Sequence, residues 1–196
     1  MNSMDFSFLH DSNYINARNR DDYYHFGVVP VPVPTWDHVL SEVDREMNIQ
    51  KEYNDPNIIK HFDNYAMVIH EAHAIHPVVN EFLIQIERSY RTFKQNQLYT
   101  ALGYISLSSL SETYGRHRDT MDVWCWNIIG ETHWNVEGRY RSFDKVLEPG
   151  ELIYVPRGMW HTTKPVKPRV NISFGSENKK YATPSGNILS YQTYEK

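Results

Sequence analysis

The sequence predicts a mainly β domain, an antiparallel barrel of short strands supported by N-terminal helices. Apolar residues recur at helical spacing in two stretches of the first half, whereas from Leu98 onward short strands alternate with turn residues. Helices followed by many short strands are typical of a supported β barrel. The 196 residues are enough for one structural domain. Within it, we expect residues 1–97 to form an arm and supporting helices, and residues 98–196 to form the barrel core.

The first half of the chain predicts an arm and two helices. Residues 1–27 are polar and rich in Asn, Asp and Tyr, which indicates an irregular arm. Thr35 suits the N-cap of a helix. The apolar positions of that helix are Trp36, Val39, Leu40, Val43 and Met47. Pro77 begins a second helix, because proline favours the first helical position. Its apolar face comprises Val78, Val79, Phe82, Leu83 and Ile86.

The second half predicts strands separated by tight turns. The clearest β-branched and aromatic runs are Leu98–Ser106, Met121–Ile129, Thr132–Val136, Leu152–Val155 and Val170–Gly175. Pro149 and Gly150 occupy the two central positions of a type II turn before one of these strands. Pro156 and Gly158 end that strand. A second tight bend then delivers His161 to the start of the next strand.

Composition limits the function classes. Hydrophobic residues make up 40% and aromatic residues 14% of the chain, so it should fold. The net charge of −4 and the lack of a basic run argue against a general nucleic-acid binder. The single Cys125 excludes an internal disulfide, fits a reducing compartment and is expected to be a small buried hydrophobe. No run approaches the roughly 18 apolar residues of a membrane span and no signal peptide opens the chain, so we expect a cytoplasmic protein.

His117, Asp119 and His161 are the candidate metal ligands and catalytic residues. Residues i and i+2 of a strand point to the same face, so His117 and Asp119 can converge on one point. His161, delivered by the later bend, supplies a third ligand. Two imidazoles and one carboxylate, with coordination positions left open, suit non-haem Fe(II) that must also bind a substrate and oxygen.

A second histidine cluster, His70-Glu71-Ala72-His73, is one residue too short for the zinc motif H-E-x-x-H. That motif needs its two histidines at i and i+4 of a helix. The stretch Tyr65–Ile75 also reads partly as a strand, which would place His73 and Ile75 on one face. We therefore assign no metal site there.

Two segments resemble known families. Gly150 to His161 reads G-x5-P-x-G-x2-H and resembles the second conserved motif of the cupin superfamily, which ends in a metal-binding His. The stretch HRDTMDVWCWNIIGETHWNV, which begins at His117, resembles the JmjC-type core, where H-x-D replaces the cupin H-x-H. The resemblance covers residues 99–175. It implies a double-stranded β-helix (cupin or jelly-roll) barrel with N-terminal helices, and an Fe(II)- and 2-oxoglutarate-dependent oxygenase.

The chain departs from these families at two positions. Pro165 stands where cupins carry an Asn, and Thr132 stands where JmjC-type proteins usually carry a Lys or Arg. That cation holds the far carboxylate of 2-oxoglutarate, and a buried carboxylate without a partner is costly. The usual anchor is therefore in doubt.

Arg169 is the candidate substitute. Polar and apolar residues alternate from Arg169 to Ser173, so Arg169, Asn171 and Ser173 share one face of the strand after His161 and are candidates for binding the cosubstrate. Prolyl-hydroxylase-like oxygenases place an Arg or Lys at a similar distance after the distal His. Arg also forms a bidentate fork with a carboxylate. The alternative is a surface Arg at a strand start. Thr132 and Tyr104 are candidates for an additional hydroxyl hydrogen bond to the cosubstrate.

The resemblance implies a hydroxylase that couples decarboxylation of 2-oxoglutarate, with O2, to hydroxylation of a prime substrate. That substrate is a protein side chain or a small molecule, and the sequence identifies neither it nor the oligomeric state. Two other classes stay open. One is a metal cupin without 2-oxoglutarate, acting as an isomerase, lyase or dioxygenase. The other is a non-catalytic cupin binding module. A 2-oxoglutarate turnover assay tests the first class, and metal content tests the second.

Overall fold

The computed structural model describes residues 4–52, 66–91, 97–111, 113–178 and 193–194. Within these ranges the strands are β1 (Tyr24–Val28), β2 (Ala66–Ile69), β3 (Gln97–Ser106), β4 (His117–Arg118), β5 (Asp122–Ile129), β6 (Thr132–Val136), β7 (Phe143–Leu147), β8 (Glu151–Val155), β9 (His161–Pro165), β10 (Arg169–Asn178) and β11 (Thr193–Tyr194). A six-stranded sheet has the order β1-β8-β5-β10-β3-β2, and a five-stranded sheet has the order β11-β4-β9-β6-β7. The fold is the predicted double-stranded β-helix with N-terminal helices.

The helices cover the outer face of the six-stranded sheet. They are α1 (Ser12–Asn19), α2 (Trp36–Glu52) and α3 (Pro77–Arg91). Phe82 of α3 contacts Trp126 and Phe174, with ring centroids 5.3 and 4.8 Å apart, and all three side chains are fully buried. Each aromatic ring buried in this way removes a large apolar area from water. The predicted starts of α2 and α3, after Thr35 and at Pro77, are confirmed.

The inner face of the same sheet packs on the five-stranded sheet. Residues that alternate with the outer aromatic residues point inward, so Cys125, Ile153 and Val155 meet Trp134 and Val136 of β6. The prediction that Cys125 is a small buried hydrophobe is confirmed, since it is 5% exposed. Trp124 and Trp126 belong to the core under the helices instead of lining the barrel.

The strand predictions are confirmed, with shifts of one to three residues at five of the ten ends. Thr132–Val136 matches β6 at both ends. Pro149 and Gly150 form the predicted turn, since the Glu151 N–H donates to the Glu148 carbonyl oxygen (3.1 Å) and Gly150 has φ of +93°. That positive φ is one that glycine adopts without strain.

The prediction of an irregular arm over residues 1–27 is wrong for residues 4–27, the part that the structure describes. These residues include a 3₁₀ helix (Ser7–His10), helix α1 and strand β1, which pairs with β8. The Asp11 carboxylate caps α1 by accepting the N–H groups of Asn13 (2.8 Å) and Tyr14 (3.1 Å). Tyr14 is fully buried, and its hydroxyl accepts the Trp124 Nε1–H (2.9 Å). The polar composition of this segment did not indicate a helix, because the helix has no apolar stripe. One N-cap and one buried aromatic residue stabilise it instead.

The expected strand character of Tyr65–Ile75 holds only in part. Tyr65 lies outside the described residues, and β2 ends at Ile69. A turn and a 3₁₀ helix (Ala72–Ala74) follow, so His73 and Ile75 do not share a strand face.

Within the described part of the chain, no helix is long and apolar enough to cross a membrane.

Candidate metal centre

His117, Asp119 and His161 meet at one point inside the barrel. His117 on β4 is the direct cross-strand partner of His161 on β9, and their ring centroids lie 4.2 Å apart. Asp119 Oδ1 lies 3.8 Å from His117 Nε2, and its Oδ2 lies 3.5 Å from His161 Nε2. Among the described residues, these three alone form a cluster of potential metal ligands, with one ligand atom each within 4.8 Å of the others.

The two imidazoles have the ring orientation that metal binding requires. Nδ1 of His117 lies 3.0 Å from the Gly115 carbonyl oxygen, and Nδ1 of His161 lies 3.1 Å from that of Met159. A carbonyl oxygen only accepts, so each Nδ1 carries the proton in the neutral ring. Each Nε2 lone pair then faces the carboxylate of Asp119. Backbone carbonyls orient metal-binding histidines in this way.

Burial favours the neutral form of His161 in this centre. His117 and His161 are 7% and 5% exposed. The pKa of His161 lies below its ordinary value, first because burial disfavours the imidazolium, and His117 adds to this while Asp119 opposes it. A neutral imidazole is the form that binds a metal. The Trp134 indole stacks on His161, with centroids 5.7 Å apart and planes 19° apart.

Tyr114 is a neighbour of the centre that the sequence patterns did not single out. Its ring meets the His117 ring edge-on at 5.8 Å and the Tyr104 ring at 6.1 Å. Burial raises the pKa of Tyr114, and the Asp119 charge raises it further. Its place three residues before His117 was the available signal.

Arg169 lies in the same cavity as the three ligands. The cavity has a volume of about 1200 Å3 and is lined by His117, Asp119, His161, Arg169 and Tyr104 among others. The Arg169 side chain is buried, at 4% exposure. Its Nε donates to Ser106 Oγ and its Nη1 to Thr132 Oγ1, both at 3.3 Å. The expected alternative of a surface Arg169 is therefore wrong.

No acidic side chain of the described residues pairs with Arg169. Burial lowers the pKa of its guanidinium, yet arginine stays protonated in proteins. A buried cation held only by neutral hydroxyl and amide groups is costly unless an anion completes it. The cavity beside the three ligands is where such an anion fits.

The other predicted cosubstrate residues lie around Arg169. Asn171 is cross-strand to Tyr104, and with its amide oxygen turned toward Arg169 it accepts from Nη1 (2.6 Å). Ser173 lines the cavity. Thr132 is fully buried and donates to Asn127 Oδ1 (2.9 Å). It therefore positions the Arg169 side chain from within the protein interior. His70 and His73 line an outer part of the cavity, away from the ligand cluster.

A JmjC domain family model matches residues 138–183. This segment carries His161 and Arg169. The match confirms the JmjC-type resemblance there, over less than half of the chain. The comparison with curated proteins finds no match.

Solved structures give similarities of the fold. The ribosomal oxygenase YcfD from Escherichia coli, in complex with cobalt and 2-oxoglutarate, is 20% identical with a TM-score of 0.45, over 57% of this chain and 31% of that one. The same enzyme with cobalt and succinic acid is 19% identical with a TM-score of 0.45, over 62% and 33%. The pumpkin pro-11S globulin is 10% identical with a TM-score of 0.41, over 67% and 28%. The chain thus spans about a third of each of these proteins or less, and the similarities assign it no ligand.

Proposed function

We propose that this protein is an Fe(II)- and 2-oxoglutarate-dependent oxygenase that acts as a hydroxylase. One observation carries the proposal. The cavity that holds two oriented imidazoles and a carboxylate also holds the buried guanidinium of Arg169, which has no acidic partner among the described residues. A metal site and a separate anion site in one cavity fit a keto acid with a second carboxylate.

The donor set fits Fe(II). His117 Nε2, His161 Nε2 and one Asp119 oxygen would hold the ion on one side and leave positions for the cosubstrate and oxygen. When bound, the iron supplies the activation of O2 that couples loss of CO2 from 2-oxoglutarate, which leaves succinate, to hydroxylation of the prime substrate. The carbonyls of Gly115 and Met159 orient both rings so that their Nε2 atoms would be available to hold the ion.

Arg169 would hold the far carboxylate of 2-oxoglutarate. Its Nη1 already bonds to Thr132 and Asn171, so the guanidinium plane is set before the ligand arrives. A preset donor loses less rotamer entropy on binding than a free one. Tyr104 and Ser173 line the same space and are proposed as further hydrogen-bonding partners. Cys125 and Trp134 line the cavity with apolar surface, which limits water inside it. Charge interactions are stronger where water is excluded.

The proposed prime substrate is a protein side chain or a small molecule that enters by the outer part of the cavity. The net charge of −4 argues against nucleic acid. The alternative of a metal cupin without 2-oxoglutarate gives no role to a buried Arg169 that has no acidic partner among the described residues. The burial of this side chain therefore supports the oxygenase.

Ligand binding to the Co2+-loaded protein tests the proposal without knowledge of the prime substrate. We expect calorimetry to rank 2-oxoglutarate above both pyruvate, which lacks the far carboxylate, and glutarate, which lacks the keto group. If pyruvate bound as tightly as 2-oxoglutarate, Arg169 would have no role in binding the cosubstrate. Metal binding with no keto-acid binding would instead favour the metal cupin. Succinate formation with Fe(II), ascorbate and O2 then tests turnover.

A further inference from the structure

Asp122 is a buried carboxylate outside the metal centre that gathers donors from two distant parts of the chain. It is 1% exposed, at the start of β5. The Arg157 backbone N–H donates to its Oδ1 (3.0 Å), and Arg157 Nη2 donates to its Oδ2 (2.7 Å). The Tyr90 hydroxyl of α3 donates to the same Oδ2. A buried carboxylate with three such donors is firmly held.

The residue after Arg157 bonds to a metal ligand. The Gly158 N–H donates to the backbone oxygen of Asp119 (2.8 Å), while the Met159 N–H closes the turn onto Pro156 (3.2 Å). Gly158 has φ of +76°, which the turn requires and which glycine adopts without strain. Successive N–H groups of one turn therefore bond to Asp119 in the loop after β4 and to Asp122 at the start of β5.

This turn leads into His161, which lies at the start of β9. Met159, whose carbonyl oxygen orients the His161 ring, is the turn's last residue. The loop that Asp122 holds carries Asp119. Two adjacent hydrogen bonds thus join the segment that carries Asp119 to the turn that precedes His161. The acceptor of one of these bonds is the Asp122 side chain.

We propose that Asp122 is a positioning residue for the metal ligands. With Arg157 it clamps the Pro156–Met159 turn against the β4–β5 loop, and so sets the His161 imidazole relative to the Asp119 carboxylate. The proposal rests on the metal centre of the proposed function. It is distinct from a general stabilising role, because the clamp joins the two ligand loops and leaves the cross-strand pair of His117 and His161 intact.

Arg157→Gln tests the clamp, since its side chain is partly exposed and its loss leaves Asp122 with the Tyr90 hydroxyl and the backbone N–H of residue 157. We expect Co2+ binding to the full chain to weaken about 10–100-fold, the usual effect of losing a partner behind a metal ligand. The visible absorption of bound Co2+ should also change, because the ligand geometry loosens. Arg157→Lys keeps the charge and should restore part of the affinity.

Arg45→Gln is the matched control. Arg45 pairs with the buried Glu42 on α2, and its side chain is 42% exposed against 34% for Arg157. Both substitutions should lower the melting temperature of the metal-free protein, but only Arg157→Gln should weaken Co2+ binding. Should Arg157→Gln fail to fold, Tyr90→Phe, which removes one donor to Asp122, replaces it with a smaller expected loss.

Two outcomes overturn the inference. One is Co2+ affinity and absorption in Arg157→Gln, or in Tyr90→Phe where that variant replaces it, that equal those of the unchanged protein. The other is an equal loss of affinity in Arg45→Gln, which would show a general effect of stability. Absence of Co2+ binding in the unchanged protein would contradict the proposed function itself, and so is distinguishable from both.

Discussion

His117 and His161 face each other directly across the β4–β9 pair, with ring centroids 4.2 Å apart. Cross-strand partners keep a fixed Cβ separation, so the distance between these imidazoles is set by backbone register. A shift by one residue would turn His161 to the other face of the sheet. The geometry of the candidate metal centre therefore depends on the register of β4 and β9 as well as on the side chains.

Asp119→Ala should abolish iron-dependent succinate formation from 2-oxoglutarate and leave the fold intact. The carboxylate supplies one of three ligand atoms and contributes little to core burial. Asp144→Ala is a suitable control, since Asp144 is exposed and bonds to His133 and Asn135 on the outside of the barrel. Turnover retained in Asp119→Ala, measured beside circular dichroism, would contradict the oxygenase.

Arg169→Ala should raise the concentration of 2-oxoglutarate needed for half-saturation and leave Co2+ affinity nearly unchanged. Loss of one partner of a buried charge pair costs about 2–5 kcal/mol, and Arg169 is not a metal ligand. Arg116→Ala, which breaks the exposed pair with Glu137, is the control and should change neither quantity. Equal 2-oxoglutarate binding in both variants, by calorimetry, would argue for a different anchor.

The free energy of unfolding should fall as pH drops from 7.5 to 5.5, with His76 as one contributor. Burial, helped by His38, lowers the pKa of His76, and its Nδ1 accepts the Val78 N–H (3.1 Å) at the start of α3. A folded-state pKa below the unfolded one means that the unfolded chain binds more protons. Stability from this group is thus present above about pH 6.5 and is lost as pH falls toward the folded pKa.

His76→Asn keeps an N-cap acceptor but does not titrate. Urea denaturation should show a smaller difference between pH 7.5 and 5.5 in this variant than in the unchanged protein. An unaltered difference would mean that His76 does not contribute.

Asp11→Ala should destabilise the protein by about 0.5–2 kcal/mol, because it removes the acceptor for two N–H groups at the start of α1. Asp37→Ala, in the exposed first turn of α2, is the comparison and should cost less. Equal stability of both variants in urea would show that α1 does not depend on its cap.

The sequence by itself determined five of the strands, β3, β5, β6, β8 and β10, and the candidate ligand set. Thr132–Val136 carries a period-two pattern and turn residues at both ends, and Pro77 starts a helix for a local steric reason. The pair His117 and Asp119 needs only strand geometry to share a face. These features depend on neighbours in the chain, so they can be predicted without the fold.

Only the tertiary structure decided the role of residues 4–27, the surroundings of Arg169 and the partners of Asp122. Whether an Arg at a strand start is buried depends on Ser106 and Thr132, which β3 and β6 bring from elsewhere in the chain. Tyr14 stabilises α1 through Trp124 on β5, a contact that no local pattern encodes. Contacts between residues far apart in the sequence offset the free-energy cost of desolvating such groups. The spacing of neighbouring residues therefore does not predict these contacts.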